Sequence, residues 1–221
     1  MKNLDLHLRS IENKDWATLL FLLCFAVVVI AKTFFDSRFH DYMRLLFSNK
    51  YIKIYKDSSH MLSIFNVLLF FVNLVSLSFF IQITLEHFGY GNRHDWVLFI
   101  RIFTLLAVFI LSKYLFEKII AVVFNIEEVL EQFSAAKVSY RTYLGLLLLP
   151  FVLVIYFNDF EINSLILTLI AIILIINAVT YLLSLRNYQK FVAGYMFYFI
   201  LYLCALEITP YYFIYYLVTK K

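Results

Sequence analysis

The sequence predicts an all-α fold: a polytopic membrane helical bundle of about six transmembrane helices, with amphipathic segments lying at its interfaces. Three observations predict it. Of the 221 residues, 63% are hydrophobic and only 15% charged, against about 45–50% and about 25% in soluble domains. No water-soluble core absorbs such an excess without exposing large apolar patches. The apolar runs are also continuous, close to the roughly 20 residues that cross about 30 Å of hydrocarbon. They lack the period-two alternation of an outer-membrane barrel. Finally, Lys and Arg concentrate in alternate connectors, as they do in short cytoplasmic loops.

The elements follow in chain order. Span one covers residues 16–33. It has no small-residue cleavage pattern before Lys32, so it reads as a retained helix and not as a signal peptide. Residues 41–57, DYMRLLFSNKYIKIYKD, interleave aromatic and aliphatic residues with Arg44, Lys50, Lys53 and Lys56. Such a segment suits an elbow at headgroup level, rings buried and cations toward anionic lipid. An ordinary positive loop with belt aromatics is the plainer reading.

Span two covers residues 61–84 and span three residues 96–112. Beyond span three, Ile119, Val122, Val123, Ile126, Leu130 and Phe133 form one helical stripe, with Glu127, Glu128 and Glu131 opposite. Either span three projects past the bilayer or a separate helix follows it. The stripe packs on the bundle itself or receives a partner protein.

Span four, residues 143–157, is short and contains Pro150, so a tilt or kink is expected. Span five covers residues 164–185 and span six residues 191–209, ending at Pro210. The apolar tail 211–218 is too short to cross and continues as a kinked or interfacial segment. The whole chain is one membrane domain.

Orientation follows from the cations. The one–two connector holds Arg38, Arg44, Lys50, Lys53 and Lys56; the three–four connector holds Lys113, Lys118, Lys137 and Arg141; the five–six connector holds Arg186 and Lys190. The alternate connectors are nearly bare of them. The basic connectors are therefore expected in the cytoplasm and both termini in the periplasm.

Polar groups inside spans are costly and are read as functional by default. Arg101 lies about one and a half turns into span three, and Glu207 lies close to the outer end of span six. At similar depth they form a candidate ion pair, either fixing helix register or serving a substrate or proton site. Asn66 and Asn73, seven apart on span two, and Asn177 on span five are candidate interhelical contacts, as are Gln82 and Thr180. Glu86, His87, His94 and Asp95 cluster in the two–three connector, but their spacing matches no metal motif. Cys24 and Cys204 fall within spans as small packing residues. No cofactor is expected. No phosphate loop, nucleophile elbow or paired-carboxylate constellation occurs, and membrane topology already explains the basic residues, so nucleic acid is not an expected partner.

The ordered set Asp15-Trp16, Arg38-Phe39, Lys50-Tyr51, Tyr55-Lys56, Phe65-Asn66, Ser76-Leu77, Leu149-Pro150 and the terminal LYLCALE of residues 201–207 with Pro210 resembles an uncharacterised family. It is a family of small polytopic inner-membrane proteins from Bacteroidota, catalogued as a domain of unknown function. The resemblance spans nearly the whole chain and implies an inner-membrane location in a Gram-negative bacterium. It implies no activity. Three functions are therefore expected in order: a non-catalytic subunit or assembly factor of an envelope complex, such as secretion or gliding machinery, with membrane lipids and other inner-membrane proteins as partners; a small transporter or channel using Arg101, Glu207 and the three asparagines; or an enzyme acting on a lipid-linked substrate through Glu86, His87, His94, Asp95 or Glu207.

Overall fold

The computed structural model describes residues 15–45, 51, 63–123, 127–158 and 168. Five helices run through them: α1 Asp15–Phe34, α2 Asp36–Met43, α3 Ile64–His87, α4 Trp96–Val123 and α5 Glu127–Phe157, with no strand among the described residues. Four stretches are long and apolar enough to cross a membrane: Asp15–Phe34, Ile64–His87, Trp96–Val123 and Ser134–Phe157. Apart from Thr168, the expected spans 164–185 and 191–209 lie outside the described residues.

The helices alternate in direction around α3, which packs on α1, α4 and α5. One end gathers the start of α1, the end of α3, the start of α4 and the end of α5. There Trp16 lies against Phe79, Trp96, Phe99 and Tyr156, with ring centroids 5.3–6.3 Å apart. Lipid tails are as apolar as these side chains, so helix association rests on close packing and polar contacts and gains nothing from desolvation. Offset and edge-on ring pairs add about 0.5–1.5 kcal/mol each. Phe79 is the hub, 4.5 Å from both Phe21 and Phe99. At the other end Ala31, Tyr42, Leu45, Tyr51, Phe65, Leu69, Tyr140 and Tyr143 form a second core.

Span three takes the longer of its two expected forms, and span four is longer than expected. Ser112 and Lys113 look like the end of span three, yet α4 continues to Val123 because Lys113 is buried. Polar residues 134–142 look like a loop, yet α5 is helical through them. Their side chains find partners: Ser134 Oγ donates to Glu117 Oε2 at 2.8 Å, Ser139 Oγ to the Ala135 carbonyl at 2.8 Å, and Thr142 Oγ1 to the Val138 carbonyl at 3.0 Å. Span four is therefore not short. Pro150 sits inside α5 on an exposed side, where its missing N–H is borne without breaking the helix. α4 runs on to Val123, so span three projects further as one of the two expected forms has it, while residues 127–133 belong to the same helix as span four.

The closest approach in the bundle is between α3 and α5. A Cβ at Gly145 would overlap Asn73 Oδ1 and stand 2.8 Å from Asn73 Cα. Only glycine allows the two backbones to meet there, the small-residue packing typical of helices in lipid.

Candidate functional site

The aromatic end carries the densest polar network. α3 ends in a turn closed by Gly89, whose φ of 78° favours glycine. The Tyr90 N–H bonds the Leu85 carbonyl and the Gly89 N–H the Glu86 carbonyl, both at 2.9 Å. Asp95 Oδ1 then accepts the Val97 N–H at 2.9 Å and so caps the start of α4. Gln82 ties this connector to α3, its Nε2 donating to the carbonyls of Asn92 at 3.3 Å and Asp95 at 2.8 Å.

Inside that frame, Arg93 Nε lies 3.3 Å from Glu86 Oε2 and also donates to His94 Nε2 at 3.3 Å. An Arg93 terminal N–H donates to the Asn158 carbonyl at 3.4 Å. His94 Nδ1 lies 3.3 Å from the Tyr156 hydroxyl, whose residue is fully buried. Arg is a donor only, so His94 Nε2 must accept. His94 Nδ1 faces the Tyr156 oxygen, the donor of that contact being set by the tautomer of the ring. The result is a chain, Glu86–Arg93–His94–Tyr156, that pins the α3–α4 connector to the end of α5.

Of the four connector residues singled out in the sequence, two meet in this chain, Glu86 and His94, joined through Arg93. Asp95 serves as a helix cap, and the His87 ring lies 5.3 Å from Phe88. No group of three or more His, Cys, Asp or Glu side chains suited to a metal occurs among the described residues.

The other candidates are dispersed. Asn66 Oδ1 accepts the Tyr51 hydroxyl at 3.3 Å. Asn73 is buried between α3 and α5, and neither amide atom has a hydrogen-bond partner among the described residues. The expected interhelical hydrogen bond is absent there because the facing residue, Gly145, offers no side chain. Arg101 is exposed on α4. Asn177, Thr180, Cys204 and Glu207 lie outside the described residues, so the Arg101–Glu207 pair does too.

At the basic end, the described aromatic residues of the 41–57 segment, Tyr42 and Tyr51, turn inward. Tyr42, Leu45 and Tyr51 are buried in the protein's own core, and Arg44 is exposed. The headgroup-level elbow is thus, in its described part, a wedge against α3 and α5; Lys50, Lys53 and Lys56 lie outside the described residues. The Tyr42 hydroxyl shares a hydrogen bond of 2.9 Å with Thr142 Oγ1, and the Tyr143 hydroxyl donates to the Met43 carbonyl at 3.4 Å. Burial pushes the Tyr42 phenol well above its ordinary value, against the Thr142 hydrogen bond that lowers it. Arg38 is buried, its guanidinium 5.0 Å from the centre of the Phe65 ring, a cation–π arrangement.

Sequence reasoning missed the ion pair that joins α4 and α5. Glu117 Oε1 lies 3.3 Å from Lys137 Nζ, and both side chains are largely enclosed. It also missed Tyr156 and Gly145. Glu117 and Lys137 carried a signal: each interrupts an otherwise helical apolar pattern on neighbouring elements. Nothing in the pattern marked Tyr156 among the many tyrosines.

No curated protein and no solved structure matches the chain. A family profile described as a domain of unknown function matches residues 17–218, nearly the whole sequence. The chain therefore belongs to that family, DUF4271.

Proposed function

We propose that this chain is a non-catalytic, multi-pass subunit or assembly factor of an envelope complex in the inner membrane of a Gram-negative bacterium of the Bacteroidota. In this reading the basic end faces the cytoplasm and both termini face the periplasm. Several features support it. Among the described residues, Lys32, Arg38, Arg44, Lys113, Lys118, Lys137 and Arg141 lie toward the end opposite Trp16. At the aromatic end Glu86, Arg93, His94 and Tyr156 are engaged with one another, and the Gln82 and Asp95 side chains with backbone.

One observation carries the partner assignment. α4 has 28 residues, about 42 Å at about 1.5 Å per residue, against about 30 Å of hydrocarbon. Counted from Trp96, Glu117 falls about 31 Å along the axis, so the Glu117–Lys137 pair marks the boundary. Beyond it Ile119, Val122 and Val123 remain 57%, 55% and 68% exposed. Lipid does not account for apolar side chains past the charged belt, and a protein partner on the cytoplasmic side does.

Photo-crosslinking side chains placed at Ile119 and Val122 in native membranes test this. A discrete protein adduct is expected, lost in Ile119→Glu/Val122→Glu while the chain still inserts. Adducts to lipid alone, or a chain that purifies without any partner, would refute it.

A further inference from the structure

α4 is the least covered of the four long apolar helices. Only 11% of its most apolar stretch is buried, against 50% for α3 and 44% for α5. Near its start, Val97, Arg101, Thr104, Leu105 and Val108 are exposed on one side at helical spacing. Thr104 is satisfied within the helix, its Oγ1 lying 2.8 Å from the Ile100 carbonyl and 3.1 Å from the Arg101 carbonyl. Arg101 is not answered in that way. The ion pairs of the described residues are Glu86–Arg93 and Glu117–Lys137, and neither includes it. The Asp95 carboxylate is turned to the Val97 N–H. This side of α4 therefore presents one cation on a surface otherwise suited to hydrocarbon.

Arg101 stands five residues past Trp96, about 7–8 Å along the axis, where a bare charge facing lipid tails is costly. The direction of the helix relieves that cost. Cα–Cβ bonds tilt toward the N-terminus of their helix, and α4 begins at the Trp16 end, so the Arg101 stem leans back over Val97 toward the surface. An arginine lays its methylenes on apolar surface and keeps its head at polar depth. The edge-on pair of Trp16 and Trp96 marks that depth as the interfacial belt. Lipid phosphates stand there; they are anionic acceptors whose geometry matches the guanidinium fork.

We propose that this side of α4 is a phospholipid site. Arg101 holds the phosphodiester of a lipid in the leaflet at the Trp16 end, and the acyl chain of that lipid lies along Leu105 and Val108. Charge complementarity selects the phosphate, and the rest of the stripe selects lipid over a second helix. Helices in lipid close on one another through small residues and polar contacts. Here the branched side chains of Val97, Leu105 and Val108 hold a neighbour off, and the Thr104 donor is already used. A fluid acyl chain needs only apolar surface. The site is separate from the partner surface beyond Glu117 and does not depend on it.

A photoreactive phosphatidylethanolamine, with a diazirine on the acyl chain close to the ester, tests the site in the full chain reconstituted in phosphatidylethanolamine vesicles. Adducts on residues 97–108 are read by peptide mass spectrometry. Adducts on Val67, exposed near the start of α3, are the internal standard. Arg101→Leu should lower the ratio of the first to the second several-fold. Arg101→Lys should lower it less, because an ammonium keeps the charge and loses the planar fork. In vesicles of a phosphate-free galactolipid carrying the same diazirine, the ratio should not depend on residue 101. Equal ratios for the parent and Arg101→Leu in phosphatidylethanolamine would overturn the proposal, the stripe then meeting bulk lipid only. So would the same fall with the galactolipid, or a photo-crosslinker at Leu105 that captures protein in native membranes.

Discussion

Substituting Gly145 by alanine adds one methyl group where α3 and α5 meet, and the structure fixes its effect. The new Cβ would stand 2.7 Å from Asn73 Cγ and 2.8 Å from Asn73 Cα. Carbon atoms pack at about 3.5–4.0 Å. Rotating the amide relieves the overlap with Cγ and Oδ1, but the Asn73 α-carbon is backbone and moves only with its helix. The two axes must therefore separate by about 1 Å, and the side chains along the α3–α5 seam lose packing together. Overpacking of this kind costs about 1–3 kcal/mol, a roughly 5-fold to 150-fold loss in the folded-to-unfolded ratio. Denaturant titration of Gly145→Ala in mild detergent measures it. Asn73→Ala supplies the control. Its amide makes no hydrogen bond among the described residues, so removing it should be nearly neutral or stabilising. Asn73→Ala/Gly145→Ala should still be destabilised, because the new methyl group continues to press on the α3 backbone. A Gly145→Ala protein as stable as the parent would refute the close approach.

The remaining predictions use the same assay unless stated. Glu117→Gln or Lys137→Met breaks an enclosed pair and should destabilise, by up to about 3–5 kcal/mol, while Glu117→Leu/Lys137→Met together should cost less than the sum of the two; losses that simply add would argue against the pair. Tyr42→Phe removes the hydrogen bond to Thr142 and should cost about 0.5–1.5 kcal/mol. The buried Tyr42 phenol holds its proton more tightly in the folded state than in the unfolded one, where it titrates near 10. Its contribution is complete below about pH 10 and falls as pH rises further. Tyr42→Phe should therefore flatten the alkaline loss of stability, and an unchanged alkaline limb would count against it. Single cysteines at Tyr90 and at Arg44, both exposed, should label from opposite sides of the membrane, Tyr90→Cys from the periplasm; same-side labelling would remove the alternating topology.

The helical class and the existence of the first four spans were legible because the apolar runs are long and nearly uncharged. Their limits were not. Ser134, Lys137 and Thr142 each look like an exit into water, but the chain meets those side chains with Glu117, with Tyr42 or with its own helix carbonyls. Hydropathy scores a side chain alone, whereas burial depends on the neighbour that answers it, and Lys137 stands 20 residues from Glu117. The aromatic segment after α1 misled for a related reason. A pattern of rings and cations suits a lipid interface and a protein seam equally, and only the position of Phe65, Tyr140 and Tyr143 decides that Tyr42 and Tyr51 turn inward. At the α3–α4 connector, Glu86 and His94 are near each other in sequence, but nothing there hints at Tyr156, which arrives from the end of α5.

The two ends of the bundle are secured by different means, and the difference bears on where this protein is able to change. At the Trp16 end, rings interlock with the Glu86–Arg93–His94–Tyr156 chain, so α1, α3, α4 and α5 are tied at one level. At the basic end the described ties between α4 and α5 include the Glu117–Lys137 ion pair and Ser134, while the second core joins α1, α3 and α5 through the wedge after α1. α4 is thus fixed at its start by interlocked rings and toward its end by the enclosed Glu117–Lys137 pair. A partner that grips Ile119 and Val122 acts on the long arm of that helix, with the aromatic end as pivot. Breaking the Glu117–Lys137 pair should then free the end of α4 without disturbing Trp16. Amide exchange measured on Glu117→Gln should rise in residues 113–123 and stay unchanged in residues 96–103. A uniform rise along α4 would mean that the aromatic end is no anchor.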